Sequence, residues 1–355
     1  MALTEFSQLQ VLKQLNLSRN KLASVPEDLG QLAALEDLDL SHNQLQSVPA
    51  ALGNLTNLRY LNLMANQLTE LPASIGNQLT SLPDSLGNMT GLVKLQASFN
   101  KIQTLTASIS QLQKLELMRL AVNDLQDLPK ELAQLNSLAW VSLAGNPMCP
   151  VPTAPTPPMQ TLDTLQDLGT GEALGDGASG DVVAATWQGS AVAVKVFRAD
   201  VSPDGRSVDE IAVATRLDHP NLVRVRAKVA SPSALVVDRV FGTPLAAKPN
   251  HASLLRCRWD ADTTFAPGTA LSIVLGIARA LEYLHSLNIC HGDLYAHNVL
   301  ADKQGHAVLC DFGASFFYKP EDTTAFEAQE VRAFGLFLKD INARLDSQNE
   351  DYQSL

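Results

Sequence analysis

The sequence has little that would favour a secreted, membrane-spanning or nucleic-acid-binding protein. Its 26 basic residues are outnumbered by 37 acidic ones, and the net charge of −11 argues against nucleic acid or an anionic membrane as the main partner. No apolar run approaches the roughly 18 residues of a membrane span, and the first residues do not resemble a secretory signal. The four cysteines are widely spaced and form no CxxC pair, so reduced thiols and a cytoplasmic location are expected.

The apolar content is too high for a disordered chain. Apolar residues make up 46% of the 355 residues, and domains of roughly 100–200 residues are usual, so two domains with separate cores are expected.

Asparagine recurs through the first 150 residues at a spacing of 23, with a single gap of 34. These positions are Asn20, Asn43, Asn66, Asn100, Asn123 and Asn146. Each closes a stretch close to L-x-x-L-x-L-x-x-N, and a unit close to L-x-x-L-P-x-x-L-G lies between them. The L-x-L core predicts a short strand with inward leucines, and the second unit turns the chain back. One coil cannot bury its leucines alone, so the coils must stack, with the asparagines bonding backbone groups at the bends.

These units resemble the leucine-rich repeat family, of the 23-residue type, over about residues 9–148. The resemblance implies an α/β solenoid whose concave sheet binds a protein ligand. Tyr60 and Trp140 occupy the same level of that sheet, and we expect them to anchor a partner because aromatic residues carry much of the energy of an interface. The alternative for Trp140 is that it only covers the last coil.

The 34-residue gap falls where Ile75-Gly76-Asn77 is followed directly by another copy of the proline-containing unit. One coil there lacks its strand and its asparagine. Either the solenoid is kinked at this point or the chain carries a deletion.

A proline-rich stretch follows the repeats, with five prolines in the nine residues from 150 to 158. Such a stretch predicts a stiff spacer. We therefore divide the chain into a repeat domain at 1–148, a linker at 149–165 and a second domain at 166–355.

The second domain opens with glycines that fit G-x-G-x-x-G-x-V. The fitting residues are Gly175, Gly177, Gly180 and Val182. The same glycines open dinucleotide-binding helices, but here strand-like segments follow them. One of these is Val192-Ala193-Val194-Lys195, and Lys195 lies twenty residues after Gly175.

Two further motifs follow in order. His291-Gly292-Asp293-Leu294-Tyr295-Ala296-His297-Asn298 is close to H-R-D-L-x-x-x-N and follows an amphipathic helix predicted from Leu271 to Leu287. Asp311-Phe312-Gly313 begins thirteen residues after Asn298.

This series of motifs resembles the protein kinase family over about residues 169–345, which implies an α+β domain of two lobes with ATP and Mg²⁺ in the cleft. By the resemblance, Lys195 would hold the α- and β-phosphates, Asp293 would accept or orient the proton of the substrate hydroxyl, and Asn298 and Asp311 would hold Mg²⁺. The glycine loop, Val182 and Ala193 would contact the nucleotide. Lys195 would pair with Glu210, or alternatively with Asp209.

The strand from Ala234 to Arg239 is expected to enter the hinge between the lobes. By the same resemblance, Val237 would limit the depth behind the adenine, and Asp238 would offer backbone groups to it.

The chain departs from the kinase pattern at several positions. Gly292 replaces the arginine that usually pairs with a phosphate on the activation segment, and Tyr295 replaces a lysine that touches the γ-phosphate. Only sixteen residues separate Gly313 from Glu330-Val331-Arg332-Ala333-Phe334-Gly335, which is close to D-V-x-x-F-G, and no A-P-E triplet intervenes. The usual peptide platform is therefore missing or rebuilt, and we expect an incomplete C-lobe. A Cys/His nucleophile at Cys290 and His291 is a further, weaker interpretation.

The sequence thus predicts a kinase that transfers the γ-phosphoryl group of ATP to protein hydroxyls, serine or threonine before tyrosine, while the repeats recruit a protein partner. The alternative is a pseudokinase scaffold that binds nucleotide or partners without phosphotransfer. A binder that acts through the repeats alone is the third interpretation.

Overall fold

The computed structural model describes residues 9–67, 84–153, 158–166, 168–176, 179–250 and 253–346. The chain divides into two compact units, one of Met1–Pro150 with Pro203–Gly205 and one of Val151–Ser202 with Arg206–Leu355. In the described part of the chain, no helix is both long enough and apolar enough to cross a membrane.

The first unit is built on one parallel sheet whose six strands follow chain order. The strands are β1 (Gln14–Asn16), β2 (Asp37–Asp39), β3 (Tyr60–Asn62), β4 (Lys94–Gln96), β5 (Leu117–Arg119) and β6 (Trp140–Ser142). The middle residues of neighbouring strands pair with one another, so that Leu38, Leu61 and Leu95 form a column that is completely buried. This column is the inward leucine row that the L-x-L pattern predicts.

Short 3-10 helices return the chain on the side opposite the sheet. They are Glu27–Gln31, Ala50–Asn54, Asp84–Asn88, Ala107–Gln111 and Lys130–Gln134. The residue before the first two of these helices is a proline, Pro26 or Pro49, with φ of −74° or −64°. The coils stack so closely that a Cβ on Gly30 would lie 2.2 Å from the carbonyl oxygen of Ala51 in the next coil. The glycine that recurs in the first three of these helices therefore reflects close packing of coil on coil.

A ladder of asparagines holds the bends together. The Nδ2 group of Asn66 donates to the carbonyl of Leu63 in its own coil at 3.1 Å and to that of Leu40 in the preceding coil at 3.0 Å. Its Oδ1 atom accepts from the backbone N–H of Leu45 at 3.1 Å. The residue before this asparagine, Ala65, has φ of 51°, and the same left-handed turn recurs before the other ladder asparagines. The Asn66 side chain thus forms hydrogen bonds with backbone groups at the turn that have no partner in the sheet.

The irregular spacing of the repeats leaves the sheet continuous. Strand β3 pairs directly with β4, in the register Tyr60↔Lys94. Residues 68–83, which include Ile75-Gly76-Asn77, lie outside the described residues, and the two explanations of the gap remain open.

A six-stranded sheet, a short pair of strands and one helix follow the repeats. In chain order these elements are β7 (Gln160–Leu162), β8 (Gly169–Asp176), β9 (Gly180–Trp187), β10 (Ser190–Phe197), the short pair β11 (Val201–Ser202) and β12 (Gly205–Arg206), helix α1 (Ser207–Ala214), β13 (Val225–Val229) and β14 (Ala234–Asp238). The sheet order is β7-β13-β14-β10-β9-β8. Val192, Val194 and Val236 pack in the core of this sheet. Because side chains alternate along a strand, burial of Val194 on one face places Lys195 on the other.

The remainder of the second unit contains the longer helices. Its elements are β15 (Thr243–Pro244), α2 (Pro267–Ser286), β16 (Ile289–Cys290), a 3-10 turn at Ala296–Asn298, β17 (Val299–Ala301), β18 (Ala307–Leu309), β19 (Phe316–Phe317), a 3-10 turn at Pro320–Asp322 and α3 (Thr323–Asn342). Helix α2 starts four residues before the predicted Leu271, because Pro267 can occupy the first turn, where no backbone N–H is needed. Strands β15, β17 and β18 form a small sheet, and β16 pairs with β19.

Candidate active site

Lys195 lies on β10, between β9 and β14, and points into a cleft. Its Nζ atom forms an ion pair with Oε1 of Glu210 on α1 and lies 3.1 Å from Oδ1 of Asp311. The neighbouring Asp209 pairs instead with Arg206, at 2.8 Å. Of the two predicted candidates on this helix, the structure therefore brings Glu210 to the lysine.

The charged groups in this cluster shift one another's pKa values. Burial by itself would lower the pKa of Lys195, but the carboxylates of Asp311 and Glu210 outweigh it, and the pKa lies above its ordinary value. Burial likewise works to raise the pKa of Asp311, but the ammonium of Lys195 holds it well below the usual range. The pKa of Glu210 is raised, because burial has a larger effect than the neighbouring ammonium. Lys195 therefore stays charged throughout the neutral pH range.

Asp311 owes its position to an unusual backbone turn. Its φ is 65°, a left-handed conformation, and its Oδ1 atom accepts from the backbone N–H of Gly313 at 3.4 Å. Phe312 is buried and packs edge-on against His291, with ring centroids 5.4 Å apart. The buried phenyl ring anchors this segment and leaves the Asp311 side chain, 35% exposed, facing the cleft.

The loop between β16 and β17 brings Asp293 and Asn298 together. The Nδ2 group of Asn298 donates to Oδ2 of Asp293 at 2.9 Å and to its carbonyl oxygen at 2.8 Å. The carbonyl of Asn298 in turn accepts from the N–H of Cys310 at 2.9 Å, which ties the loop to the segment that carries Asp311. Asn298 and Asp311, the two predicted ligands of the metal, are thus connected through this backbone hydrogen bond.

The side chain of Glu330 on α3 binds the loop that carries Asp293 and Asn298. Its Oε1 atom accepts from the backbone N–H of Gly292 at 2.9 Å, and its Oε2 atom lies 2.7 Å from Nε2 of His285 on α2. Gly292 has φ of 76°, a conformation that favours glycine, which gives a physical reason for glycine where the family resemblance predicts arginine. Burial would raise the pKa of Glu330, but His285 and the Gly292 N–H lower it overall.

The cleft has a volume of about 780 Å³ and gathers most of the predicted nucleotide-site residues. Those that line it are Gly175, Gly180, Val182, Ala193, Lys195, Glu210, Val237, Asp238, Asn298 and Asp311. Gly177 lies outside the described residues. Asp293 does not line the cleft directly but is bonded to Asn298, which does.

The composition of the cleft fits a nucleotide with a divalent cation. Apolar side chains of Val182, Ala193 and Leu300 line it and suit a planar base. The Lys195 ammonium lies beside Asp311, and the oxygen-bearing side chain of Asn298 lines the same cleft. Carboxylate and amide oxygens suit Mg²⁺, which keeps water and phosphate oxygens as its other ligands.

Several lining residues were missed in the sequence. Leu174, Val240 and Leu300 are apolar residues of the lining, and Lys248 lines the cleft as well. Counting along the strands from the motifs could have located Leu174, one residue before Gly175, and Leu300, two residues after Asn298. The position of Lys248 depends on an irregular segment for which the sequence has no periodic signal.

The repeat sheet differs from expectation at one of its two predicted anchors. Trp140 is only 3% exposed, so the expected exposed ring is not observed, and the alternative that it covers the last coil agrees better with this burial. Tyr60 is half-buried, and its hydroxyl donates to Oε1 of Gln96 at 2.7 Å. The ammonium of Lys94 lies 5.1 Å from the centre of the Tyr60 ring. Position along the strand could be predicted, whereas the degree of burial could not.

Comparison with known proteins agrees with both units. Residues 168–332 match the family model of the protein kinase domain, and residues 10–68 match that of the leucine-rich repeat. The chain thus carries a leucine-rich repeat region followed by a protein kinase domain, as the sequence predicted.

The individual relatives resemble this chain over less than half of its length. Serine/threonine-protein kinase 12 of Arabidopsis thaliana is 31% identical over 154 residues, or 41% of this chain and 32% of that protein. Serine/threonine-protein kinase PkaB of Streptomyces coelicolor is 34% identical over 156 residues, or 40% of this chain and 35% of that protein. The megakaryocyte-associated tyrosine-protein kinase of Rattus norvegicus is 34% identical over 149 residues, or 42% and 30%. The chain therefore spans about a third of the length of these relatives.

Proposed function

We propose that this chain is an ATP- and Mg²⁺-dependent protein kinase that phosphorylates serine or threonine hydroxyls. The observation that carries the proposal is the placement of Lys195 between Glu210 and Asp311, in the same cleft as Asn298. Two of the relatives above are named serine/threonine-protein kinases, which favours these hydroxyls over tyrosine.

Each residue has a role in this reaction. Lys195, fixed in place by Glu210, would hold the α- and β-phosphates, and the oxygens of Asp311 and Asn298 would hold Mg²⁺. The metal, when bound, would supply neutralisation of the phosphate charge. Asp293, whose carboxylate is held by Asn298, orients the acceptor hydroxyl and takes up its proton. Positioning and charge neutralisation account for most of the rate acceleration in phosphoryl transfer.

The test is phosphate incorporation by the purified chain, given γ-labelled ATP, Mg²⁺ and a mixture of protein substrates. Lys195→Ala and Asp311→Ala should each abolish incorporation, whereas Lys339→Ala on the outer side of α3 is the control. Acid hydrolysis of the product should release phosphoserine or phosphothreonine. Incorporation that persists in Asp311→Ala contradicts the proposal.

A scaffold without phosphotransfer is the second candidate, and one observation favours it. Only nine residues, 314–322, separate Gly313 from α3. Phe316 and Phe317 within this segment are buried and pair with β16, so they offer no exposed strand to a peptide. A wild-type chain that binds ATP in the presence of Mg²⁺ but transfers no phosphate identifies the scaffold.

We also infer that the repeat region recruits a protein partner in the cytoplasm, through the sheet face that carries Tyr60. The four cysteines all lie in the described part of the chain and none forms a disulfide, in keeping with a reducing compartment. A photo-crosslinking residue at position 60 should capture a partner that one at Ala107, on the 3-10 side, does not. Equal capture from both positions contradicts a specific sheet-face site.

A further inference from the structure

The loop that holds Asp293 has no cation at the position where a lysine was expected. Tyr295 occupies it, is 6% exposed and stacks against His297, with ring centroids 5.2 Å apart. A phenol cannot neutralise the charge that develops on a transferred phosphoryl group. If this cleft handles a triphosphate, a cation for the γ-phosphate in addition to Lys195 and Mg²⁺ has to come from another element.

The segment after the hinge runs toward this loop. Thr243 pairs with Ala301 and Pro244 with Leu300, and the N–H of Leu245 donates to the carbonyl of Val299 at 3.0 Å. The pairing is antiparallel, so each step forward from residue 243 is a step back from residue 301 toward Asn298. The residues after Leu245 therefore approach the loop that carries Asn298.

A second contact fixes the chain at the end of this path. Ala247 and Arg258 form an antiparallel bridge, with N–H to carbonyl distances of 2.7 and 2.9 Å, and the Nε group of Arg258 donates to the carbonyl of Lys248 at 3.0 Å. The adjacent Cys257 places its Sγ atom 3.4 Å from Nδ1 of His297, in the loop that carries Asp293 and Asn298. The backbone of Lys248 is thus fastened beside that loop.

The charge of Lys248 is directed at the cleft. Its side chain lines the cleft together with those of Asn298 and Asp311. Lys248 thus shares the cleft with both residues of the predicted metal site.

The other lysine and arginine residues of the described cleft lining are Arg239 and Lys303. Arg239 lies in the hinge segment and pairs with Glu172 at 3.4 Å. Lys303 lies in the turn after β17, and Asp302 in the same turn lines a separate depression together with hinge residues 238–241, so this turn lies beside the hinge segment. Besides Lys195, this leaves Lys248 as the lysine or arginine of the described lining whose backbone is fastened beside the loop that carries Asn298.

We propose that Lys248 contacts the γ-phosphate of bound ATP and takes the place of the cation that Tyr295 cannot supply. The inference rests on the proposed function, since it assigns a ligand contact within the same nucleotide site. It differs from the role of Lys195, which serves the α- and β-phosphates. A contact to the γ-phosphate alone adds to the affinity for ATP and contributes nothing to that for ADP.

The test compares the dissociation constants of ATP and ADP, measured by calorimetry with Mg²⁺ on the full chain. Lys248→Ala should weaken ATP binding about tenfold or more, the usual loss for a hydrogen bond to a charged group, and change ADP binding by less than about threefold. Lys248→Arg should restore most of the ATP affinity. Unchanged ADP binding also shows that the variant is folded.

Lys303→Ala is the matched control, because this lysine lines the same cleft from the turn beside the hinge segment. It should affect ATP and ADP to the same extent. Equal weakening of both nucleotides by Lys248→Ala, or weakening of neither, overturns the proposal. Failure of the proposed function has a different signature: the wild type then shows no phosphate transfer, while the ATP and ADP constants still decide the role of Lys248.

Discussion

Replacing Glu210 by glutamine keeps the size of the side chain and removes its charge beside Lys195. The matched change is Asp209→Asn on the same helix, one residue earlier. The Glu210 side chain is 4% exposed and its partner Lys195 14%, whereas Asp209 is 10% exposed and its partner Arg206 41%. The two substitutions therefore remove the same chemical group from an ion pair with two buried partners and from one whose arginine is exposed to water.

The environment of each pair sets the expected loss of stability. Breaking a buried pair costs about 3–5 kcal/mol when it leaves an uncompensated charge. Lys195 keeps Asp311 as a partner at 3.1 Å, and Glu210→Gln also removes a carboxylate whose pKa burial raises. Both effects reduce the loss, so we expect about 2 kcal/mol for Glu210→Gln. The exposed guanidinium of Arg206 can be hydrated when Asp209 loses its charge, and the amide in its place can still accept a hydrogen bond from it, so we expect about 1 kcal/mol or less for Asp209→Asn.

Hydrogen–deuterium exchange at the amides of α1 and β10 measures this unit without interference from the repeats. Protection in both elements should fall by more than tenfold in Glu210→Gln and by less than fivefold in Asp209→Asn. ATP affinity should fall only in the first variant, since only Glu210 fixes Lys195. An equal loss in the two variants, or a larger one in Asp209→Asn, refutes the assignment of Glu210 as the partner.

Three further predictions concern other parts of the second unit. Burial alone would lower the pKa of His285, but Glu330 raises it above the ordinary 6.5, so its contribution to stability is complete below pH 6.5 and is lost as the pH rises through the raised pKa. His285→Gln should therefore flatten the decline of the melting temperature between pH 6 and pH 9, and an unchanged slope contradicts this. Gly292→Ala, at φ of 76°, should destabilise the domain by about 1 kcal/mol, whereas Gly335→Ala inside α3, where a Cβ meets nothing within 4 Å, should stabilise it by up to about 1 kcal/mol in urea unfolding. Cys310, with a pKa raised by burial to about 12, should react with iodoacetamide at pH 7.5 more than tenfold slower than in the unfolded chain, by mass spectrometry.

Periodic features were predictable from the sequence because each repeat imposes the same packing on the next. The L-x-L pattern predicted the buried column of Leu38, Leu61 and Leu95, and the asparagine spacing predicted the ladder. The left-handed turn before each ladder asparagine was not predictable, because residues as different as Ala65 and Phe99 occupy it. The geometry of the coil imposes this turn, whatever the side chain.

Around the cleft, the residues in short motifs were predictable and those between motifs were not. Lys195, Asn298 and Asp311 are recognised by spacing, and the fold brings them to one cleft. Lys248 reaches the cleft through an irregular segment whose course is set by the bridge between Ala247 and Arg258, a contact between residues eleven apart with no pattern in the sequence. Burial was equally unpredictable, as Trp140 shows, because it depends on what surrounds a side chain.

The segment after Gly313 bears on how the proposed activity is regulated. A phosphorylation switch needs an exposed hydroxyl and a cation to receive the phosphate. Ser315 is fully buried and its hydroxyl donates to the carbonyl of His291 at 2.9 Å, while Tyr318 is 5% exposed and its hydroxyl donates to Glu327 at 3.0 Å. The arginine that the family resemblance predicts at position 292 is replaced by Gly292, which gives its N–H to buried Glu330 on α3. Both hydroxyls are used in packing, so phosphorylation at Ser315 or Tyr318 would require the segment to unfold first.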